Sequence, residues 1–523
     1  MSKRWWWFVL VVSVLLLVVS CGQQAAEVLP TLMPTAVPPI HSNQVAHVQF
    51  TPIPTLDKAF TPIPTLDRER AGRLGPTPTP TFTPPATFTP TPAVTPTPTS
   101  VPQVQPTGVA LGWEDNMVDA LGTPLPTPIP TAVPTFDVGD HITNFLILGS
   151  DTDDDSNGVA RTDSLIIVSV NRETKTASMV SLPRDLYVYI PDWTMNRINT
   201  AYSTGVDANY PGGGIARLKD AIQYNLGIPI HYYARLDFTG FKQIIDLLDG
   251  VEISVSCRLT DWRLKSPDLD ITLEESYERF TLEPGIYDMD GDLALWYARS
   301  RMTTSDFDRG RRQQQILRAI LEKGVEADLL DQIPTLWVTY RDIVDTDMDI
   351  GRALQLAPMA YEVEENGLQH IYLVGDNLIP WTVPTTGASV QLPNWEKMEE
   401  TLGYMFEPPA LSSVYRSPIT VEIVNGTGNE DMGALAAENL AWQGFIPEVT
   451  ETLAEPVDYT TITYYGPNWK GSFNWMIAWV FDQYRGQLIL ESEERYEYNY
   501  RVVLGEDFDP CRPQLFAPLP NSE

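Results

Sequence analysis

Five arginines fall within fourteen residues: Arg299 and Arg301 in WYARSR, and Arg309, Arg311 and Arg312 in DFDRGRRQQQIL. The 523-residue chain around them is strongly acidic, with 35 basic and 68 acidic residues and a net charge of −33. A guanidinium is always charged and presents a planar fork of donors that fits phosphate oxygens. A dense arginine pocket on an acidic background points to one specific phosphate or pyrophosphate group. Nucleic-acid binders carry a basic domain or a broad basic stripe, and this chain has neither, so no nucleic-acid partner is expected. The competing reading is a solvated basic face whose arginines pair with nearby carboxylates.

Helical spacing favours the pocket. Read as a helix, RGRRQQQILRAILEKG brings Arg309, Arg312, Gln313 and Ile316 to positions i, i+3, i+4 and i+7, so one shared face is expected. The polar members occupy the first turn, and Leu317, Ile320 and Leu321 further along can pack on a core. A helix N-terminus adds free backbone N–H groups and a dipole that favours anions.

The elements that position these residues lie between about 140 and 407. NFLILGSD is an apolar run ending at a loop, and TDSLIIVSVN and KTASMVSLP read as further strands. GGGIARLKDAIQYNLG and FTGFKQIIDLLDG carry apolar residues at helical spacing, and VEISVSC follows as a strand. The order predicts an α/β domain with helices layered on a sheet. Gly212 to Gly214 lack the lysine and spacing of a phosphate loop and read as a turn. Polar groups gather at strand ends, where α/β folds place ligands: Asp151 after the first strand, Arg161 and Asp163 before the second, Arg184 and Asp185 after the third. Asp151 and Asp163 could share a Mg²⁺ ion, which takes oxygen ligands and commonly phosphate oxygens as well. For Arg161, Asp163 and Arg184 the plainer reading is a structural ion pair.

Histidines stand only at 41, 47, 141, 231 and 370, and there is no CxxC or HExxH motif. A zinc enzyme or a Ser-His-Asp hydrolase is therefore not expected. Cys257 and Cys511 fall in different predicted domains, and the sequence leaves open whether they pair or remain two thiols.

The N-terminus reads as an export signal. Lys3 and Arg4 precede an apolar run from Trp5 to Val19 and then VVSCG. Small residues before a cysteine resemble a bacterial lipobox, giving a signal peptide over 1–20, cleavage before Cys21 and acylation of its thiol. The alternative is an uncleaved single-pass anchor, although the run is shorter than the roughly 20 residues a span needs. Both readings put the rest of the chain on the extracytoplasmic face of a membrane. Residues 21–136 form a Pro/Thr-rich linker holding 24 of the 45 prolines, with FTPIPTLDKA from Phe50 repeated as FTPIPTLDRE from Phe60. Such a segment cannot bury a core and is expected to be a disordered, extended stalk that gives reach.

The motifs ARTDSL, SLPRDLYV, NRINTAY, DFTGF…IIDLLDGVEISV, DGDLALWYARSR and DFDRGRRQQQIL occur in the order expected of LytR-CpsA-Psr proteins, and residues 137–407 resemble that family. The resemblance implies an extracytoplasmic phosphotransferase that moves a glycopolymer from a polyprenyl-pyrophosphate carrier onto a cell-wall glycan acceptor. It assigns Arg161, Asp163 and Arg309 to catalysis and Asp151 and Asp163 to Mg²⁺. Arg184, Arg299, Arg301, Asp306, Arg312 and Gln313 would contact the substrate. The alternatives are a lipid-pyrophosphate hydrolase using water as acceptor, and a non-catalytic envelope regulator of the kind labelled a transcriptional attenuator.

Residues 418–510 read as a second, small α/β domain similar to the C-terminal domain of LytR-type proteins. ITVEIVNGTGNEDMGALAAENLAWQGFIPEV gives strand, turn, helix, turn and strand, with another strand near the end. Ala434, Ala437, Leu440 and Ala441 form a small-residue helix face suited to packing. No catalytic constellation is visible there.

Overall fold

The computed structural model describes residues 129–150, 162–266, 269–270, 272–326, 343–412, 417–465, 473–483, 488–491 and 497–511. The export signal, Cys21, residues 21–128 of the expected stalk, Asp151 and Arg161 lie outside them. The last part of that stretch, residues 129–136, is not free stalk: the Phe136 amide donates to the Gly227 carbonyl at 2.9 Å and its ring packs against Trp395 and Phe406.

Strand Ile142–Ser150 pairs antiparallel with Thr162–Asn171, which pairs antiparallel with Thr176–Ser181. Parallel neighbours flank this trio: Tyr232–Leu236 beside the first strand and Leu368–Tyr372 beside the third. Val344–Thr346 closes the far edge of the six-stranded sheet. Both faces are covered. Phe145, Ile147 and Ile166 belong to one buried cluster, and Leu146, Leu148, Leu165 and Ile167 to the other. This explains why the strands read as nearly continuous apolar runs rather than alternating ones.

Helices Phe238–Leu247, Gly291–Arg299 and Asp306–Glu326 supply Ile245, Tyr297 and Ile316 to the first face. Gly213–Leu226 and Trp395–Gly403 supply Leu218 and Met398 to the second. The expected layers are present, with two differences. Tyr232–Leu236 is a central-sheet strand that YYARL does not announce, being short and half polar. Val251–Val255 is a strand as expected, yet it leaves the sheet to pair antiparallel with Gly285–Met289.

Local signals fix the helix ends. Asp237 caps the Phe238–Leu247 helix by accepting from the Gly240 amide at 2.6 Å. Gly227 ends the Gly213–Leu226 helix at φ 70°, a left-handed conformation that suits glycine. Ser305 and Asp308 cap the pocket helix reciprocally: the Asp308 amide donates to Ser305 Oγ at 3.2 Å, and the Ser305 amide donates to Asp308 Oδ2 at 2.9 Å.

The C-terminal domain is a five-stranded sheet in the order Ile446–Thr452, Thr420–Asn425, Tyr500–Leu504, Thr461–Tyr465, Ile489–Glu491. Helices Met432–Ala441 and Asn474–Val480 pack on it. The buried face of Met432–Ala441 is Gly433, Leu435, Ala436, Asn439 and Leu440, so the expected face is correct at Leu440 but not at Ala434, which is exposed. Cys257 and Cys511, left open by the sequence, form a disulfide across 254 residues that ties this domain to the first. Ser256 Oγ donates to Asn439 Oδ1 beside it at 3.3 Å.

Candidate active site

The pocket helix, Asp306–Glu326, begins against the end of strand Thr176–Ser181. Gly310 allows this approach, because a Cβ there would stand 3.3 Å from Ser181 Cβ. The first two turns and the segment after the strand enclose a cavity of about 270 Å³. Asp163, Arg184, Asp185, Asp306, Arg309 and Gln313 line its polar side, and Leu165, Leu182, Phe307 and Leu373 its apolar side. Few placed polar groups against an apolar wall is the usual make-up of a ligand site.

Asp306 gathers three guanidiniums. Arg184 Nε lies 3.4 Å from Oδ2, and Arg301 Nη1 and Arg309 Nη1 lie 3.3 and 3.5 Å from Oδ1. Burial alone would push the Asp306 carboxyl up, but Arg309, Arg184 and Arg301 overcome this and hold it below the usual carboxylate range. Arg184 also donates from Nη1 to Asp163 Oδ2 at 3.2 Å, and Asn199 Nδ2 donates to Asp163 Oδ1 at 3.3 Å. Arg309 is 7 % exposed, so burial works against its charge and lowers its pKa, with the Asp306 carboxylate opposing that shift. Three cations converging on one carboxylate can hold a bidentate or branched anion in its place.

Burial also raises the Asp185 carboxyl, with the charge of Asp306 adding to the shift. A half-buried carboxyl with a raised pKa on the cavity wall suits proton transfer.

The other expected residues divide. Gln313 lines the cavity and donates to the Ala298 carbonyl at 3.2 Å. Arg312 does not reach it. Its Nε donates to the Tyr297 carbonyl at 2.9 Å, its Nη1 to Thr304 Oγ1 at 3.2 Å, and its Nη2 to the Ser300 carbonyl. These acceptors hold the Arg312 guanidinium against the Gly291–Arg299 helix and the segment after it, away from the cavity. The face that lines the cavity is Asp306, Arg309, Gly310 and Gln313. Arg299 stacks over the Phe238 ring at 4.2 Å and is absent from the cavity wall. Asp151 and Arg161 lie outside the described residues. Among the described residues no group of three or more His, Cys, Asp or Glu could hold a metal ion. The half-exposed Asp163 carboxylate still offers hard oxygen donors at the rim, and Mg²⁺ characteristically takes one or two carboxylates with phosphate oxygens.

Sequence reasoning missed the network behind the cavity. Gln314 Nε2 donates to Ser181 Oγ at 2.9 Å and to the Ile371 carbonyl at 3.4 Å. Its Oε1 is therefore the acceptor for His370 Nδ1 at 2.9 Å, which fixes the imidazole proton on Nδ1. Burial, with Arg318 and Arg311 adding to it, drives the His370 pKa well below its ordinary value. Above about pH 6.5 the ring is neutral folded and unfolded, and contributes no pH dependence. Below that, the unfolded chain binds a proton that the folded chain refuses. Stability then falls with falling pH, by up to about 1.4 kcal/mol per pH unit from this group. Denaturant melts of His370→Gln between pH 6.5 and 5 are expected to show a shallower loss than wild type; equal slopes would contradict the assignment.

The LytR_cpsA_psr family profile matches residues 130–405, and a second profile, described as LytR cell envelope-related transcriptional attenuator, matches residues 418–508. The chain is 32% identical over 214 residues to the polyisoprenyl-teichoic acid–peptidoglycan teichoic acid transferase TagT of Bacillus subtilis (strain 168), covering 40% of this chain and 59% of that protein. It is 30% identical over 244 residues to the transferase TagV of the same organism, covering 46% of this chain and 59% of that protein. The chain thus spans about three fifths of the length of these curated relatives. The crystal structure of Bacillus subtilis TagV aligns with a TM-score of 0.40 at 26% identity, over 51% of this chain and 98% of that one.

Proposed function

Since the chain belongs to the LytR_cpsA_psr family, whose profile covers residues 130–405, we propose that it is a phosphotransferase moving a glycopolymer from a polyprenyl-pyrophosphate carrier onto a cell-wall glycan. The observation that carries this reading is the convergence of Arg184, Arg301 and Arg309 on Asp306 at the mouth of a half-apolar cavity. Relatives named as teichoic acid transferases support the choice of donor and acceptor class.

The pyrophosphate takes the arginine forks, displacing part of their hold on Asp306. The first units of the lipid lie against Phe307, Leu165 and Leu373. An acceptor sugar hydroxyl attacks the sugar-linked phosphorus; its oxygen forms the new P–O bond while the bond to the bridging oxygen breaks. The electron pair leaves with polyprenyl phosphate, and the hydroxyl proton passes to the Asp185 carboxylate. Arg309 and Arg184 meet the charge that grows on the bridging and equatorial oxygens, which is the main help a protein gives phosphoryl transfer. Asp163, with Asp151, would hold Mg²⁺, which supplies further charge neutralisation when bound. Arg161, two residues before Asp163, is a further pyrophosphate ligand.

The folded domains work on the extracytoplasmic face of the cell membrane, held there by lipid on Cys21 and spaced from it by the stalk. The Cys257–Cys511 disulfide supports this location, because such bonds persist outside reducing compartments.

The test gives the full-length, detergent-solubilised protein a polyprenyl-pyrophosphate-linked sugar, a peptidoglycan acceptor, and Mg²⁺ or a chelator, and follows the acceptor by mass spectrometry. Mg²⁺-dependent sugar phosphate on the acceptor is the expected result. Phosphate-ester release without acceptor would instead favour the hydrolase, and no turnover of any kind would favour the regulator.

A further inference from the structure

None of the described residues of the C-terminal domain lines the cavity, yet one of its side chains stands directly behind it. Trp442, 4 % exposed, follows the Met432–Ala441 helix. Its ring stacks on His370 with centroids 3.6 Å apart and planes at 12°. From there the chain of contacts runs inward: His370 Nδ1 to Gln314 Oε1 at 2.9 Å, then Gln314 Nε2 to Ser181 Oγ at 2.9 Å, and Ser181 lines the cavity. A second route is shorter. Tyr372, another residue of the cavity wall, is raised in pKa by burial, and the charge of the Arg311 guanidinium opposes that shift. The Arg311 guanidinium also lies over the indole at 5.3 Å and that of Arg318 at 5.9 Å. Arg318 Nη1 in turn reaches Glu438 Oε1 of the C-terminal domain at 3.4 Å.

Arg311, Gln314 and Arg318 belong to the same helix whose first two turns present Asp306, Arg309 and Gln313 to the cavity. One indole therefore sets the rear of the pocket helix, the hydroxyl of Ser181 and the ring of Tyr372 together. We infer that Trp442 is a positioning residue for the pyrophosphate pocket, so that the C-terminal domain is a working part of the transferase site and not a spacer. The inference rests on the pyrophosphate reading given above. Trp442 touches no substrate; it acts through His370, Gln314 and Tyr372, and the disulfide Cys257–Cys511 keeps it in place.

The probe is farnesyl pyrophosphate with Mg²⁺, titrated by calorimetry into the full chain. Trp442→Leu keeps an apolar side chain but removes the stack and the N–H; Trp442→Phe keeps a ring. Expected is a loss of affinity of about tenfold or more in Trp442→Leu and recovery to within about threefold of wild type in Trp442→Phe, with the disulfide intact by non-reducing mass spectrometry. A residue that served only to stabilise the fold would lower the melting temperature and leave the affinity of the folded protein unchanged. Equal affinities in wild type and Trp442→Leu overturn the inference. Should Trp442→Leu not fold, His370→Phe decides in its place, because it preserves an aromatic stack and removes the bond to Gln314; unchanged affinity there overturns the inference as well. Arg309→Ala is the control for the underlying reading. If wild type fails to bind the probe, or Arg309→Ala binds it equally well, the pyrophosphate assignment falls and takes this inference with it. If Arg309→Ala loses the probe while the Trp442 and His370 variants retain it, only the positioning role falls.

Discussion

Arg309→Ala is expected to lower kcat/KM for glycopolymer transfer by about a thousandfold or more, the scale of removing an arginine that meets transition-state charge in phosphoryl transfer. The structure gives three reasons. Arg309 is the most buried of the three convergent arginines, at 9 % side-chain exposure against 24 % for Arg184 and 44 % for Arg301. Its charge therefore acts in the least water-screened part of the site. It also comes from the helix turn that shapes the cavity, so its guanidinium is held by its own backbone rather than by a loop. Finally, its nearest charged partner, Asp306, keeps Arg184 and Arg301 after the substitution, so the loss leaves no orphaned carboxylate and the fold is expected to survive. Arg309→Lys is expected to fall between, because an ammonium keeps the charge but not the two-pronged geometry. Transfer kinetics paired with a thermal melt make the check: wild-type turnover in Arg309→Ala would remove the residue from the site, and a collapsed melt would make it a structural ion-pair member.

Opening the disulfide should have the largest effect on stability. The bond closes a loop of 254 residues, and the chain-entropy account puts the contribution of so long a loop at about 5 kcal/mol, an upper value for a domain pair that also holds itself together by packing. Cys257→Ser, or reduction of the wild type, is expected to free the C-terminal domain before the main domain melts. Limited proteolysis with and without reductant reads this directly, through new cleavage around residues 408–418. An unchanged digest and melting curve after complete reduction would mean that the stack at Trp442 and the Ser256–Asn439 contact suffice alone.

Much of the site was legible because its signals are local. Arg309 and Gln313 stand four apart on a helix whose amphipathic pattern is plain, and Arg184 follows a strand that reads as one. Arg312 was misplaced by a criterion that was too loose. Helical spacing alone puts Arg312 beside Arg309, but the Tyr297 and Ser300 carbonyls take its guanidinium and turn it to the Gly291–Arg299 helix. Tyr232–Leu236 was hidden because a five-residue strand with one arginine and two half-buried tyrosines has too little pattern to stand out between two strong helices. What no local signal could reveal was the pairing of distant residues. His370 looked like one of five scattered histidines, and Trp442 like a residue at the end of a small helix. Their stack, and the Cys257–Cys511 bond, exist only because the two domains meet, and a single sequence carries no mark of that meeting.

That bond also imposes a timetable. Synthesis runs at about 5–20 residues per second, so the 254 residues between Cys257 and Cys511 take about 10–50 s to appear. Throughout that interval Cys257 is a thiol whose partner has not yet been made. The two domains can therefore be fastened together only as the last step, once the whole second domain exists, and any Cys257 oxidised earlier is lost to that bond.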